Sequence, residues 1–73
     1  MRQFAARLRA LRHARGWSQE KLAEEADMHR TYLAGIERGV RNPSLRNLIK
    51  LARALRTPLA ELFAEATPAA DRS

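Results

Sequence analysis

Residues 16–39 read GWSQEKLAEEADMHRTYLAGIERG, and the spacing of apolar and breaking residues within them decides the architecture. Gly16 and Gly39 bound the stretch, and glycine is the commonest helix stop because it enters left-handed backbone without strain. Ser18 is a good N-cap, since its hydroxyl can accept from an amide of the first helical turn. Leu22, Ala23 and Ala26 then form the apolar stripe of a helix reaching about Ala26, with Glu20 placed favourably near its positive end. Leu33 and Ile36 recur at helical spacing in a second helix, from about Arg30 to Arg38. Only Asp27, Met28 and His29 separate the two. Asp27 tolerates left-handed backbone better than most residues, so the helices are expected to turn sharply against each other.

At about 100° per residue, Leu33, Ile36 and Tyr32 share the side of the second helix that must face a core. Thr31, Ala34, Gly35 and Arg38 fall opposite, so the outward strip is small in the middle and basic at both ends. An ordinary exposed strip would carry long charged residues throughout. Gly35 costs about 1 kcal/mol of helix propensity relative to Ala, which points to something approaching the backbone there.

Outward from this pair, Phe4, Leu8 and Leu11 predict a first helix from about Arg2 to Arg15, ended by Gly16. Val40, Arg41, Asn42 and Pro43 form a loop, and Ser44 caps a further helix whose broad apolar face takes Leu45, Leu48, Ile49, Leu51, Ala52 and Leu55. Thr57 and Pro58 pair as N-cap and first-turn residue of a fifth helix, with Leu59, Leu62 and Phe63 inward. From Ala64 the apolar pattern ends. The expectation is an all-α fold, a compact five-helix bundle containing a helix-turn-helix over residues 1–64, with a solvated tail over 65–73.

Composition agrees. Ala and Leu make 24 of 73 residues, whereas Val, Ile and Thr make only six, which favours helix over strand. Since 14 of the apolar residues are alanine, the core must be thin, and a chain of this size buries only about 60% of its unfolded surface. No large enclosed active site fits. The absence of Cys excludes disulfides and thiolate metal sites and fits a reducing cytoplasm. Arg2, Arg7, Arg9 and Arg12 interrupt the N-terminal apolar residues, so no signal peptide or membrane span is expected.

Fourteen basic against eight acidic side chains give a net charge of +6, and 12 of the 14 are arginine. The charge is segregated: residues 1–15 carry +5, 16–27 carry −3, 28–56 carry +6 and 57–73 carry −2. Arginine presents a planar fork to phosphate and to guanine edges, so two strongly basic segments suggest a polyanionic partner.

Three pieces in order, GWSQEKLA (16–23), RTYLAGIERG (30–39) and RNPSL (41–45), resemble the Cro/cI-type (XRE-type) helix-turn-helix family of transcriptional regulators. The resemblance covers about residues 4–63, and the RTYLAGIERG variant is similar to that of restriction-modification controller proteins. It implies a cytoplasmic, nucleoid-associated bacterial or phage protein that binds double-stranded DNA as a homodimer. Its third helix would lie in the major groove of a pseudo-palindromic operator. Carried over residue by residue, Arg30 and Thr31 at the start of that helix face base edges, and Ala34 and Gly35 continue the same strip. Arg30 matches the O6 and N7 acceptors of guanine bidentately, worth about 1–3 kcal/mol of discrimination, with a phosphate contact as its alternative. Thr31 offers a hydroxyl or a methyl, or is simply exposed. Ala34 and Gly35 have no reach for hydrogen bonds, so readout concentrates in the first turn and leans partly on DNA deformability.

Phosphate contacts are expected from Gln19, Arg38, Arg41, Asn42 and Arg46, with a plain exposed helix or loop residue as the alternative for Gln19, Arg41, Asn42 and Arg46. Tyr32 sits at the edge of the buried arc, its ring read as packing and its hydroxyl as within reach of a phosphate. Lys50, Arg53 and Arg56 read as a solvated face. The resemblance implies a structural ion pair between Arg12 and Glu37, with two unconnected surface charges as the alternative. His29 departs from the family, which usually opens the third helix with a small capping residue. Leu55, Leu59, Leu62 and Phe63 exceed the packing needs of a short terminal helix and are expected at the dimer interface, with closure of the monomer core as the alternative.

Enzymatic activity is not expected, because no Gly-rich phosphate loop, paired carboxylates or Ser/His/Asp set is present. His13 and His29 have no ligand partners at metal spacing, and no cofactor, small-molecule ligand or membrane role is expected. The rival reading is a protein-binding module, such as an antitoxin or adaptor, whose basic surface meets an acidic partner.

Overall fold

Ser18 and Ser44 each start a helix by the same device. The Ser18 hydroxyl accepts from the Lys21 amide at 3.0 Å and the Ser44 hydroxyl from the Asn47 amide at 3.2 Å, which supplies one of the amides a helix start leaves orphaned. The computed structural model describes residues 2–64, so the predicted tail over 65–73 lies outside the described residues. Within them the chain forms α1 (Arg2–Ala14), α2 (Gln19–Glu25), α3 (Arg30–Glu37), α4 (Leu45–Ala54) and a 3₁₀ helix (Leu59–Phe63). All regular structure among the described residues is helical.

The expected fifth α-helix is instead this single short 3₁₀ segment. Pro58 remains extended outside it, and the Thr57 hydroxyl donates back to the Leu55 carbonyl instead of capping forward. Five residues add too few α-type bonds to offset helix nucleation, and 3₁₀ geometry is the usual form of such short pieces. Tertiary contacts hold it: Leu62 is fully buried, and Arg7 of α1 donates to both the carbonyl and the carboxylate of Glu61 at 3.0 Å.

The core is one cluster in which Leu8, Leu22, Leu33, Ile36, Leu51, Leu55 and Leu62 are fully buried, each such side chain contributing about 1.5–3 kcal/mol. α2 packs on α3, α1 packs on α3 and the 3₁₀ helix, and α4 packs on α2 and the 3₁₀ helix. Between α2 and α3, Asp27 takes a left-handed backbone (φ 56°). Its carbonyl accepts from the Lys50 ammonium at 3.1 Å, so α4 ties down the turn. Lys50, read from the sequence as part of a solvated face, therefore has a structural contact that links two elements.

α3 starts differently from α2 and α4. His29 occupies its N-cap position with extended backbone but makes no side-chain capping bond. His29→Ser should supply such a bond and raise stability by about 1 kcal/mol. For a domain of this size that corresponds to roughly 4–8 °C in thermal denaturation followed by circular dichroism. An unchanged or lower midpoint would mean that the first turn of α3 is already satisfied in another way.

Candidate nucleic-acid interface

α3 is sorted by its neighbours into a buried and a free side. Leu33 and Ile36 are fully buried, as the helical spacing requires, whereas Arg30, Thr31 and Arg38 are exposed and Ala34 is half-buried. Beyond its end, Val40, Arg41 and Asn42 are exposed on the loop, and Arg46 is exposed on the first turn of α4. Among the described residues, ion pairs engage Arg7, Arg12, Lys21 and Lys50 but none of Arg30, Arg38, Arg41 and Arg46. Four guanidinium groups without an ion pair among the described residues thus belong to α3, its C-cap, the following loop and the start of α4. Such a set raises the local positive potential that draws polyanions.

The buried end of α3 is held by a polar network. The Arg12 guanidinium grips Glu37 with two bonds, Nε to Oε2 at 2.8 Å and Nη2 to Oε1 at 2.9 Å, and its Nη1 donates to the Trp17 carbonyl at 2.8 Å. Gln19 Nε2 adds a bond to Oε1 of Glu37 at 3.1 Å, and Arg9 donates to the Glu37 main-chain carbonyl. Glu37 is only 1% exposed, so this charge persists in the interior because a bidentate guanidinium and an amide saturate it. The network joins α1, the α1–α2 link, the start of α2 and the end of α3. Gln19, expected at a phosphate, is half-buried with its amide nitrogen turned to Glu37.

Gly35 requires a correction. It is buried, and the space a Cβ would occupy is taken by the protein's own Arg41, whose Cγ would lie 2.9 Å away. The close approach inferred from this glycine is therefore intramolecular, and Gly35 cannot touch a base edge in this conformation. Tyr32 is half-buried. Its hydroxyl accepts from Asn47 Nδ2 at 3.1 Å, and the Arg41 guanidinium carbon lies 5.8 Å from its ring centroid. Asn47 is a supporting residue that the sequence reading misses. The available signal is a tyrosine at the edge of the core, whose hydroxyl needs a polar partner.

The apolar candidates divide as well. Leu55 and Leu62 are 1% and 0% exposed within the single chain, so neither can meet a partner; they close the monomer core. Leu59 is half-buried against that core, and Phe63 is exposed with its ring centroid 5.2 Å from that of Phe4. Leu45 and Ile49, assigned from the sequence to the inward face of α4, are instead exposed one turn apart. The burial of α4 is narrower than its apolar arc, because α2 and the 3₁₀ helix cover only part of it. Among the described residues no helix is long and apolar enough to cross a membrane, and no three His, Asp or Glu side chains gather at metal-binding distance.

Residues 8–62 match the protein family described as Helix-turn-helix. Control protein C.BamHI of Bacillus amyloliquefaciens is 51% identical over 53 residues, which make up 71% of this chain and 65% of that protein. The crystal structure of the restriction-modification controller protein C.AhdI from Aeromonas hydrophila superposes with a TM-score of 0.83 at 52% identity, covering 85% of this chain and 94% of that one. SinR of Bacillus subtilis, a master regulator for biofilm formation crystallised in complex with DNA, superposes with a TM-score of 0.79 at 32% identity, over 84% of this chain and 98% of that one.

Proposed function

We propose, from the premise that this chain belongs to the XRE-type helix-turn-helix family, that it binds double-stranded DNA sequence-specifically as a homodimeric transcriptional regulator. The third helix enters the major groove of a pseudo-palindromic operator, and two half-sites about 34 Å apart engage the two protomers. The observation that carries this reading is the free side of α3. Arg30 and Thr31 on α3 and Arg38 at its C-cap are exposed, neither arginine has an ion pair among the described residues, and the C-terminal end of the helix is locked through Glu37.

Arg30 reads a base edge and Thr31 adds a hydroxyl or methyl contact, while Ala34 keeps the strip flat enough for the groove wall. Arg38, Arg41, Asn42 and Arg46 grip phosphates, which set register without carrying sequence information. The Tyr32 hydroxyl and the second N–H of Gln19 reach the same strand at the rim. The dimer face is drawn from Phe63 and the rim of Leu59, together with the exposed pair Leu45 and Ile49. These side chains remain accessible in the single chain, and apolar area of this kind is what a second copy would cover.

Selection of bound duplexes from a random library tests the whole reading, with a palindromic consensus as the expected result. On that consensus Arg30→Ala should lose about 1–3 kcal/mol and relax preference at one position per half-site, whereas Arg41→Ala should weaken all sequences alike. Equal weakening of every sequence by both variants would remove the direct-readout role of Arg30. Recovery of no enriched sequence would remove specific DNA binding.

A further inference from the structure

The geometry points to Gly35 as the positioning residue for the Arg41 guanidinium, which it holds ready for an anionic backbone by leaving a bare Cα for the arginine stem to cross. This inference rests on the DNA-binding reading for its functional consequence, but its structural part stands on contacts within the chain.

After α3 the chain reverses through Gly39 (φ 77°), and the amides of Val40 and Arg41 both donate to the Gly35 carbonyl, at 3.0 and 3.2 Å. That pair of bonds brings Arg41 back alongside Gly35. A Cβ on Gly35 would lie 2.9 Å from Cγ, 3.2 Å from Cδ and 3.5 Å from Cβ of Arg41. These are the stem carbons, not the mobile tip, so rotation of the head group does not relieve the clash. Beyond the glycine the guanidinium carbon stands 5.8 Å from the Tyr32 ring centroid, within the range of a cation–π contact. The ring is in turn fixed by Asn47 at 3.1 Å, and Asn47 lies in the first turn of α4, which Ser44 caps. Two elements, α3 through Gly35 and Tyr32 and α4 through Asn47, therefore agree on one place for the Arg41 side chain. No carboxylate among the described residues pairs with it, so its donors stay available to an incoming anion.

An exposed arginine normally loses rotamer freedom when it grips a phosphate, and a side chain already held loses less. Gly35 thus acts on DNA through Arg41, at a position where alanine would be the better helix former.

The test compares Gly35→Ala, Arg41→Ala and the double variant with the parent. In the free parent, the methylene protons of Arg41 should show upfield ring-current shifts in NMR spectra, and Gly35→Ala should abolish them while the melting temperature stays level or rises. Duplex affinity at fixed salt should fall about tenfold in Gly35→Ala, with the slope of log affinity against log salt smaller by about 0.9 for each phosphate no longer neutralised. In the Arg41→Ala background the same change should have no further effect. Unshifted Arg41 protons in the parent overturn the inference, whatever the variant does. So does an equal penalty for Gly35→Ala with and without Arg41, because the glycine would then serve contact with DNA itself. A parent that binds no duplex removes the DNA reading alone, and the NMR comparison still decides whether Gly35 places Arg41.

Discussion

Glu37→Ala should destabilise the protein by about 3–5 kcal/mol, the range for removing one partner of a buried ion pair. The Arg12 guanidinium would stay in the interior without the carboxylate that takes two of its bonds, and the Gln19 amide would lose its acceptor. Small domains have a total stability of about 5–15 kcal/mol, so a large share of the margin is at stake. At roughly 4–8 °C per kcal/mol, the melting midpoint should drop by tens of degrees. The paired substitution Arg12→Met with Glu37→Leu removes both charges and should lie much closer to the parent, since apolar side chains often replace a buried ion pair without loss. Thermal denaturation of all three proteins checks this. A Glu37→Ala midpoint within a few degrees of the parent would show that water reaches Arg12 and that the network is not a structural tie.

Affinity for the operator should fall about a thousandfold between roughly 50 and 200 mM monovalent salt. Arg38, Arg41 and Arg46 are each exposed and free of ion pairs among the described residues. Two protomers then supply roughly six cationic phosphate contacts, each releasing about 0.9 counterion on binding to duplex DNA. Fluorescence anisotropy titrations of a labelled operator across that salt range give the slope directly. A flat dependence would exclude a phosphate-gripping role for these arginines and favour a partner recognised by shape or apolar contact.

The helix starts were legible because they depend on chemistry a few residues apart. Ser18 and Ser44 each cap through an amide three positions on, and Gly16 and Gly39 take positive φ where the helices stop. The left-handed turn at Asp27 is equally local. Arg56 takes the same conformation (φ 52°) without any sequence signal, because the exit from α4 is set by the Thr57 amide bonding the Ala52 carbonyl and by Arg15 of α1 donating to the Leu55 carbonyl. The fifth helix differs from expectation for a related reason. A capping pair marks where a helix can begin, but its length depends on whether enough α-type bonds follow.

The site was legible as a face and illegible as a mechanism of support. Periodicity alone separates Arg30, Thr31 and Arg38 from Leu33 and Ile36. It does not report that Lys50 clamps the turn, that Asn47 holds Tyr32 or that Gln19 bonds Glu37, since those partners are 23, 15 and 18 residues apart. Gly35 is the clearest case. Its presence in a helix interior does signal a close approach, yet sequence cannot tell an approaching DNA backbone from an approaching arginine stem. The same holds for the apolar residues near the end of the chain, where Leu55 and Leu62 proved to be core and Leu45 and Ile49 proved to be surface.

By itself, then, the amino-acid sequence determined the helical class, the sharp turn between α2 and α3, and the small basic strip on α3, because each follows from the 3.6-residue period and from residues within one turn of one another. Only the tertiary structure decided which leucines are buried, where the final segment becomes 3₁₀ and what fills the space over Gly35. Burial depends on which helix covers a face, and that is settled by contacts between residues far apart in the chain.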